Sequence, residues 1–276
     1  MISLRKRSLP LEKAEGTDQI NNRVLRELSL ELAEPLCQIF NKSIRDGVFP
    51  TLWKKANVCP VFKKGDAAVV SNYRPISLLS TVSKVCERAV YVHILNHLSY
   101  NNILTEYQSG FLPGDSATNQ LTYFYHKFCE AIDSGKEIRA VFCDISKAFD
   151  KVWHKGLLQK LKYVGIHGNL ITWLESYLSD RCQQVSINGH SSRYKAIEAG
   201  VPQCSIMGPL LFLIYINDIV NNLTSNTRLF VDDTSLYVLV NNPNEAAVKL
   251  NDDLLKIDSW SKQWLVTFNP SKRNHY

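Results

Sequence analysis

At 276 residues and a formal net charge of +6, the chain suits one large domain or two small ones, on a prior of ~150 residues per domain. Its 45% apolar and 21% charged residues support a buried core and exclude general disorder. The longest apolar run, Leu210–Ile216, is far below the ~18 residues of a membrane span. The N-terminal MISLRKRSLP lacks an apolar signal core, and seven cysteines without a C-x-x-C pair argue against a disulfide framework or structural zinc. These features predict a soluble protein of a reducing, intracellular compartment, with no membrane partner and no clear targeting signal.

The positive charge is unevenly spread. Residues 1–100 hold 15 Lys and Arg against 9 Asp and Glu, whereas residues 101–276 hold 17 of each. A basic first part suits contact with phosphates. A solvated basic surface is the plainer reading, and charge alone does not choose between them.

In chain order, Asn21–Leu32 carries Val24, Leu25, Leu28 and Leu32 at helical spacing, which predicts a helix buried along that stripe. Pro35 is expected to open a second helix, with Leu36, Ile39, Phe40 and Ile44 inward and Gly47 as its stop. Ala56–Phe62 reads as a strand leading into the basic turn Lys63-Lys64-Gly65-Asp66. Ile76–Leu98 reads as a long amphipathic helix, Arg139–Asp144 as a short buried strand, and His154–Val164 and Asn169–Leu178 as helices. A strand at Gln183–Asn188, a Gly/Pro turn and an apolar helix at Pro209–Leu223 follow. The arms Arg228–Val231 and Leu236–Val240 predict a hairpin with Asp232-Asp233-Thr234-Ser235 between them. A helix at Asn244–Gln263 and a final strand at Leu265–Phe268 complete the list. Mixed elements with late antiparallel strands predict an α+β fold rather than a doubly wound sheet.

Two acidic clusters stand at predicted strand ends. Asp144 closes an apolar run, and Asp232-Asp233 sits at the proposed hairpin tip. Adjacent carboxylates repel by a few kcal/mol at ~4 Å, so a folded site keeps them together only where water or a cation relieves the repulsion. With a third carboxylate from a neighbouring strand they would form an oxygen-rich site suited to Mg²⁺. Asp-Asp is also an ordinary turn dipeptide at a polar tip, and the residues themselves leave that alternative open. Asp150 reads as a strand-exit or helix N-cap carboxylate and is left out of the metal site. His93 and His97 are four apart but lack the Glu of a metalloprotease motif, which favours surface or packing roles.

The order of three blocks carries more. Phe230-Val231-Asp232-Asp233 resembles the [FY]-x-D-D motif of reverse transcriptases. Phe142-Cys143-Asp144-Ile145-Ser146-Lys147-Ala148-Phe149-Asp150-Lys151-Val152 resembles their F-x-D-x-x-K-A-F-D-x-V motif, and Gly200-Val201-Pro202-Gln203-Cys204-Ser205-Ile206-Met207-Gly208-Pro209-Leu210 is similar to G-V-P-Q-G-S-x-L-G-P-L. Lys63-Lys64-Gly65-Asp66 and Asn72-Tyr73-Arg74-Pro75-Ile76-Ser77-Leu78-Leu79 resemble the fingers of jockey-type non-LTR retrotransposon polymerases, and Asn269-Pro270-Ser271-Lys272 resembles the block after the palm helix.

That resemblance, from about Gly16 to Lys272, implies a right-hand polymerase with an antiparallel palm sheet packed on helices. It implies a helical extension at 1–56 and a reverse transcriptase domain at 57–276, with fingers at 57–135 and palm at 136–276. The chain would stop before a thumb. The implied activity is RNA-directed DNA polymerisation, extending a DNA primer on an RNA template with deoxynucleoside triphosphates. A catalytically inactive nucleic-acid-binding remnant is the alternative, and a maturase or RNA-templated RNA polymerase is a third reading. By resemblance, Asp144, Asp232 and Asp233, with the backbone at Ile145, hold two Mg²⁺ ions, for which Mn²⁺ can substitute. Lys63, Lys64 and Arg74 meet the triphosphate, Phe149 lies against the sugar 2′ position, and Gln203 and Ser205 face nucleotide and template. Target-primed insertion implies access to nucleus as well as cytoplasm. The chain departs from the family pattern at Cys204, where glycine is usual, at Leu112 in place of the arginine of G-F-R-P-G, and at Gly16-Thr17-Asp18-Gln19-Ile20 in place of G-P-D-G-I.

Overall fold

The computed structural model describes residues 14–240 and 242–269 and the backbone of Asn274–His275. In chain order its elements are α1 (Asn22–Glu27), α2 (Ser29–Asp46), β1 (Lys55–Phe62), β2 (Tyr73–Leu78), α3 (Thr81–Tyr100), α4 (Ala117–Asp133) and β3 (Glu137–Asp144). Then come α5 (His154–Tyr163), α6 (Gly168–Leu178), β4 (Arg181–Ile187), β5 (His190–Ser191), β6 (Lys195–Ile197) and α7 (Met207–Ile216). The last are β7 (Asn226–Phe230), β8 (Asp233–Val240), α8 (Pro243–Gln263) and β9 (Asn274–His275). Among the described residues no helix is long and apolar enough to cross a membrane.

The chain divides into two compact units, each built from two segments: residues 1–98 with 154–211, and residues 99–153 with 212–276. In the first unit, β1 pairs antiparallel with β2 and parallel with β4, and β5 and β6 add to β4. Its aromatic core centres on the fully buried Phe49, which meets Trp53, Trp173 and Tyr177 edge-on at 5.6, 5.3 and 5.0 Å. Such pairs add stability beyond the area they bury.

In the second unit the sheet order is β7-β8-β3-β9. Strand alternation sorts its two faces. Val141, Cys143, Leu236, Val238 and Val240 pack with Ala246, Leu250 and Ile257 of α8. The opposite face presents Phe142 and Tyr237 to Phe124 and Phe128 of α4. Helices therefore cover the two faces of this sheet, and the polar chemistry is left to its ends.

Several elements differ from expectation. The first predicted helix breaks at Leu28, so Val24 and Leu28 are 41% and 47% exposed while Leu25 is buried. Pro35 lies inside α2 rather than at its start, because loss of one N–H near the helix beginning is offset by the favourable Leu30–Glu34 run ahead of it. Gly47 does end α2, in the left-handed region at φ 67°. Ile76–Leu78 is strand, because pairing with β1 overrides a helical periodicity, and the helix begins at Thr81. Helix α4 had no counterpart in the sequence reading, since its run Thr122–Phe128 is rich in β-prone aromatic residues. The apolar helix ends at Ile216 and continues only as a 3₁₀ turn over Asn217–Val220. The expected strand Leu265–Phe268 is reduced to a single bridge, Ile145 to Phe268.

Candidate functional site

The register of β3, β8 and β7 builds the acidic site. Asp144, the last residue of β3, stands directly opposite Asp233, the first of β8, and Asp233 also pairs with Phe230 of β7. Cross-strand partners share a face, so both carboxylates lie on the face of Phe142 and Tyr237. The hairpin turn is thus only Val231-Asp232, shorter than the four-residue tip read from the sequence, and Asp233 belongs to the strand. Val231 sits at φ 56°, a region that β-branched residues rarely occupy.

Neighbouring main chain ties this end together. The Ile145 amide donates to the Asp232 carbonyl at 3.3 Å, and the Ser146 amide donates to Thr267 O at 2.8 Å. Asn269 donates twice to Asp144, from its amide to the main-chain oxygen at 2.8 Å and from Nδ2 to Oδ2 at 3.3 Å. The segment Tyr107–Ser109 runs parallel to β7: Leu229 N donates to Tyr107 O and Ser109 N to Leu229 O, both at 2.8 Å. Gln108 Oε1 accepts from Val231 N at 3.0 Å. In the sequence the stretch Gln108–Gly114 stands out only by Leu112, in place of the arginine of G-F-R-P-G. Its link to the turn needed a bridge across more than a hundred residues.

Phe149 follows a left-handed Lys147, at φ 52°, in a 3₁₀ turn ending at Asp150. Its ring stacks on Phe212 at 5.0 Å and 22°, and Phe111 meets it edge-on at 5.9 Å. The ring is held by aromatic neighbours on two sides, which suits a rigid steric wall. Asp144, Ile145, Asp232, Asp233 and Phe149 all lie in this second unit.

The remaining candidates lie in the first unit. Lys63 and Lys64 are exposed on the loop joining β1 to β2, and Arg74 is exposed on β2. The loop is shaped by Lys63 N on Asn72 O and by Asn72 Nδ2 on Asp66 O, both at 2.8 Å. Gln203 and Ser205 lie in the loop before α7. The Ser205 hydroxyl donates to Pro202 O at 2.7 Å and accepts from Gly208 N at 2.8 Å, so it serves the loop's own shape. Gly208 has no room for a Cβ, which would come within 2.7 Å of that hydroxyl oxygen and 2.8 Å of Pro202 O. The wholly buried Glu87, which the sequence reading did not single out, accepts from Ile206 N and Met207 N at 2.9 and 3.2 Å and from the Ser83 hydroxyl at 2.8 Å. Its carboxyl group faces the positive end of α7. His154 Nε2 donates to Gly200 O at 2.7 Å, and burial lowers the imidazole pKa against the raising effect of that bond. His97 packs in the same way, with Nε2 2.8 Å from Val164 O.

The donor set of the acidic end is all oxygen, which fits a hard divalent ion that keeps water and takes phosphate oxygens as further ligands. Among the described residues no three acidic, His or Cys side chains already converge as a closed cage. Asp144 and Asp233 stand in register at this end, with Asp232 one residue away. Pro270–Lys272 of the block after the palm helix lies outside the described residues.

The comparisons with known proteins agree with these motifs. A family model described as reverse transcriptase (RNA-dependent DNA polymerase) matches residues 61–276. The chain belongs to the reverse transcriptase family. It is 34% identical over 96% of its length to the probable RNA-directed DNA polymerase from transposon BS of Drosophila melanogaster. It is 32% identical over 96% of its length to the RNA-directed DNA polymerase from mobile element jockey of the same organism. It spans 30% of the length of each of these relatives. Among solved structures, apo telomerase from Candida tropicalis, truncated from its C-terminal domain, is similar with a TM-score of 0.58 at 14% identity, over 95% of this chain and 58% of that one. The likeness to jockey-type polymerases and the α+β right-hand fold are both borne out. In this reverse transcriptase domain Asp144 and Asp233 of the motifs lie on the sheet of the second unit, and Asp232 lies in the turn between β7 and β8.

Proposed function

We propose that the chain is the fingers-and-palm part of an RNA-directed DNA polymerase of a non-LTR retrotransposon, with an extension at 1–56, fingers at 57–135 and palm at 136–276. The observation that carries this is the register of Asp144 against Asp233 beside the Val231-Asp232 turn. Asp144, Asp232 and Asp233, with the Ile145 backbone, hold Mg²⁺ or Mn²⁺. Bound divalent ions would lower the pKa of a primer 3′-hydroxyl and neutralise the departing pyrophosphate.

The protein's own groups orient the reactants. Lys63, Lys64 and Arg74 place charge-assisted hydrogen bonds on the triphosphate. The Phe149 ring, stacked on Phe212, excludes a ribose 2′-hydroxyl and so selects deoxynucleotides. The loop of Gln203 and Ser205 faces nucleotide and template. The 3′-oxygen to α-phosphorus bond forms, the α–β anhydride bond breaks, pyrophosphate leaves, and the hydroxyl proton passes to solvent. The RNA template and DNA primer are the partners, inside the cell, with nucleus and cytoplasm both reached.

Primer extension on a primed RNA template tests this. Asp144→Asn or Asp233→Asn should lower incorporation by about 10²–10³-fold or more while melting stays at the wild-type temperature. Phe149→Ala should admit ribonucleotides. A folded wild-type chain that binds primer–template but incorporates nothing with Mg²⁺ or Mn²⁺ would instead establish the inactive binding remnant.

A further inference from the structure

The turn that carries the aspartates holds a β-branched residue at positive φ, a conformation that persists only where surroundings over-determine it. Gln108 and Gly110, in the segment Gln108–Phe111, meet Val231 directly. We propose that this segment is a positioning strap for the carboxylate turn, with Gln108 as the residue that sets the turn's conformation.

Gln108 is 6% exposed, and its Oε1 accepts the Val231 amide proton at 3.0 Å. Its Nε2 is buried without a hydrogen-bond partner. A leucine would fill similar space without the buried Nε2 donor but would leave the Val231 N–H without its acceptor, so the amide side chain is accounted for by the turn it serves. The side-chain oxygen is engaged by the turn. Gly110 makes the same approach by shape, since a Cβ there would lie 2.7 Å from Val231 Cγ2 and 3.0 Å from Val231 N. Between them, Ser109 N anchors the strap on Leu229 O at 2.8 Å. Phe111 ends it against the Phe149 ring at 5.9 Å. The next residue after Val231 is Asp232, whose carbonyl accepts Ile145 N, so a displaced turn shifts Asp232 and Asp233 against Asp144. The geometry stands by itself, and the kinetic consequence rests on the polymerase reading above.

The test compares the wild-type chain with Gln108→Leu, Gly110→Ala and Gly110→Ala/Val231→Ala. Gln108→Leu should lower kcat for primer extension about 10- to 100-fold, as expected for misplaced reacting groups, with KM for deoxynucleotide within about threefold. Half-maximal Mg²⁺ should rise, and Mn²⁺ affinity read by electron paramagnetic resonance should fall. Hydrogen exchange of peptides spanning Phe230–Ser235 should quicken by about tenfold, because a local bond is lost. Gly110→Ala should show the same pattern, and removing Cγ2 with Val231→Ala should recover the part due to the 2.7 Å clash, while the approach to Val231 N remains. This pair decides the matter if Gln108→Leu fails to fold. Unchanged exchange and Mn²⁺ affinity in both single variants would overturn the strap, with or without polymerisation. A wild-type chain that never extends a primer would overturn the polymerase reading alone, since exchange and Mn²⁺ binding still score the strap.

Discussion

Cys204 shows what a single side chain costs in a tight loop. It is exposed at φ 59°, between Gln203 and a Ser205 whose hydroxyl closes the turn on Pro202 and Gly208. An L side chain in the left-handed region is disfavoured by roughly 1–2 kcal/mol, and glycine, usual at this motif position, avoids that cost. Cys204→Gly should therefore stabilise the chain by about 1 kcal/mol, less a few tenths for the added freedom of the unfolded glycine. Urea denaturation of the two proteins checks this, and an unchanged midpoint would mean that the loop carries no such strain. Leu112 has no comparable signature, and nothing in the structure explains its replacement of arginine.

At the scale of elements, helix α8 is fastened to the loop before β7 by one carboxylate. Asp253 is wholly buried, and it accepts from Ser225 N at 2.7 Å, Thr224 N at 2.9 Å and Lys256 Nζ at 2.8 Å. Burial pushes its pKa up, but Lys256 and the Ser225 and Thr224 groups outweigh that and hold it at about 2, below the ordinary 3.8. A depressed carboxylate contributes stability fully present above about pH 4 and lost as pH falls through about 2. The shift corresponds to about 2 kcal/mol. Asp253→Asn should lose about that much at pH 7 and flatten the pH dependence of stability between pH 4 and 2, measured by denaturant melts across that range. Glu87 performs a similar office for α7, accepting the two amides that open the helix.

For the whole molecule, the charge asymmetry of the sequence becomes a division between units. Lys63, Lys64 and Arg74 lie in one unit, and Asp144, Asp232 and Asp233 in the other. Each phosphate neutralised releases condensed counterions, so binding of primer–template should weaken as salt rises. Replacing Lys63 and Lys64 by Ala should reduce the slope of log K against log salt by about 1–2 and lower affinity on all sequences alike. Filter binding from low to moderate salt reads both quantities, and an unaltered slope would remove these lysines from the phosphate contacts.

The strand ending at Asp144, helices α5, α6 and α8, the stop at Gly47 and the three ordered motif blocks were legible in the sequence. Their signals are local: apolar period, caps and turn residues within a few positions. What the sequence alone could not supply was register and long-range satisfaction. Asp233 became a strand residue opposite Asp144 because eight residues of β3 pair with β8, and that pairing sets which side chains meet. Pairing with β1 likewise made strand of Ile76–Leu78, against its own helical pattern. Gln108 reached Val231, and Glu87 the start of α7, because buried amides must find acceptors wherever the chain returns. Such partners lie more than a hundred residues away, and no local pattern in a single sequence encodes them.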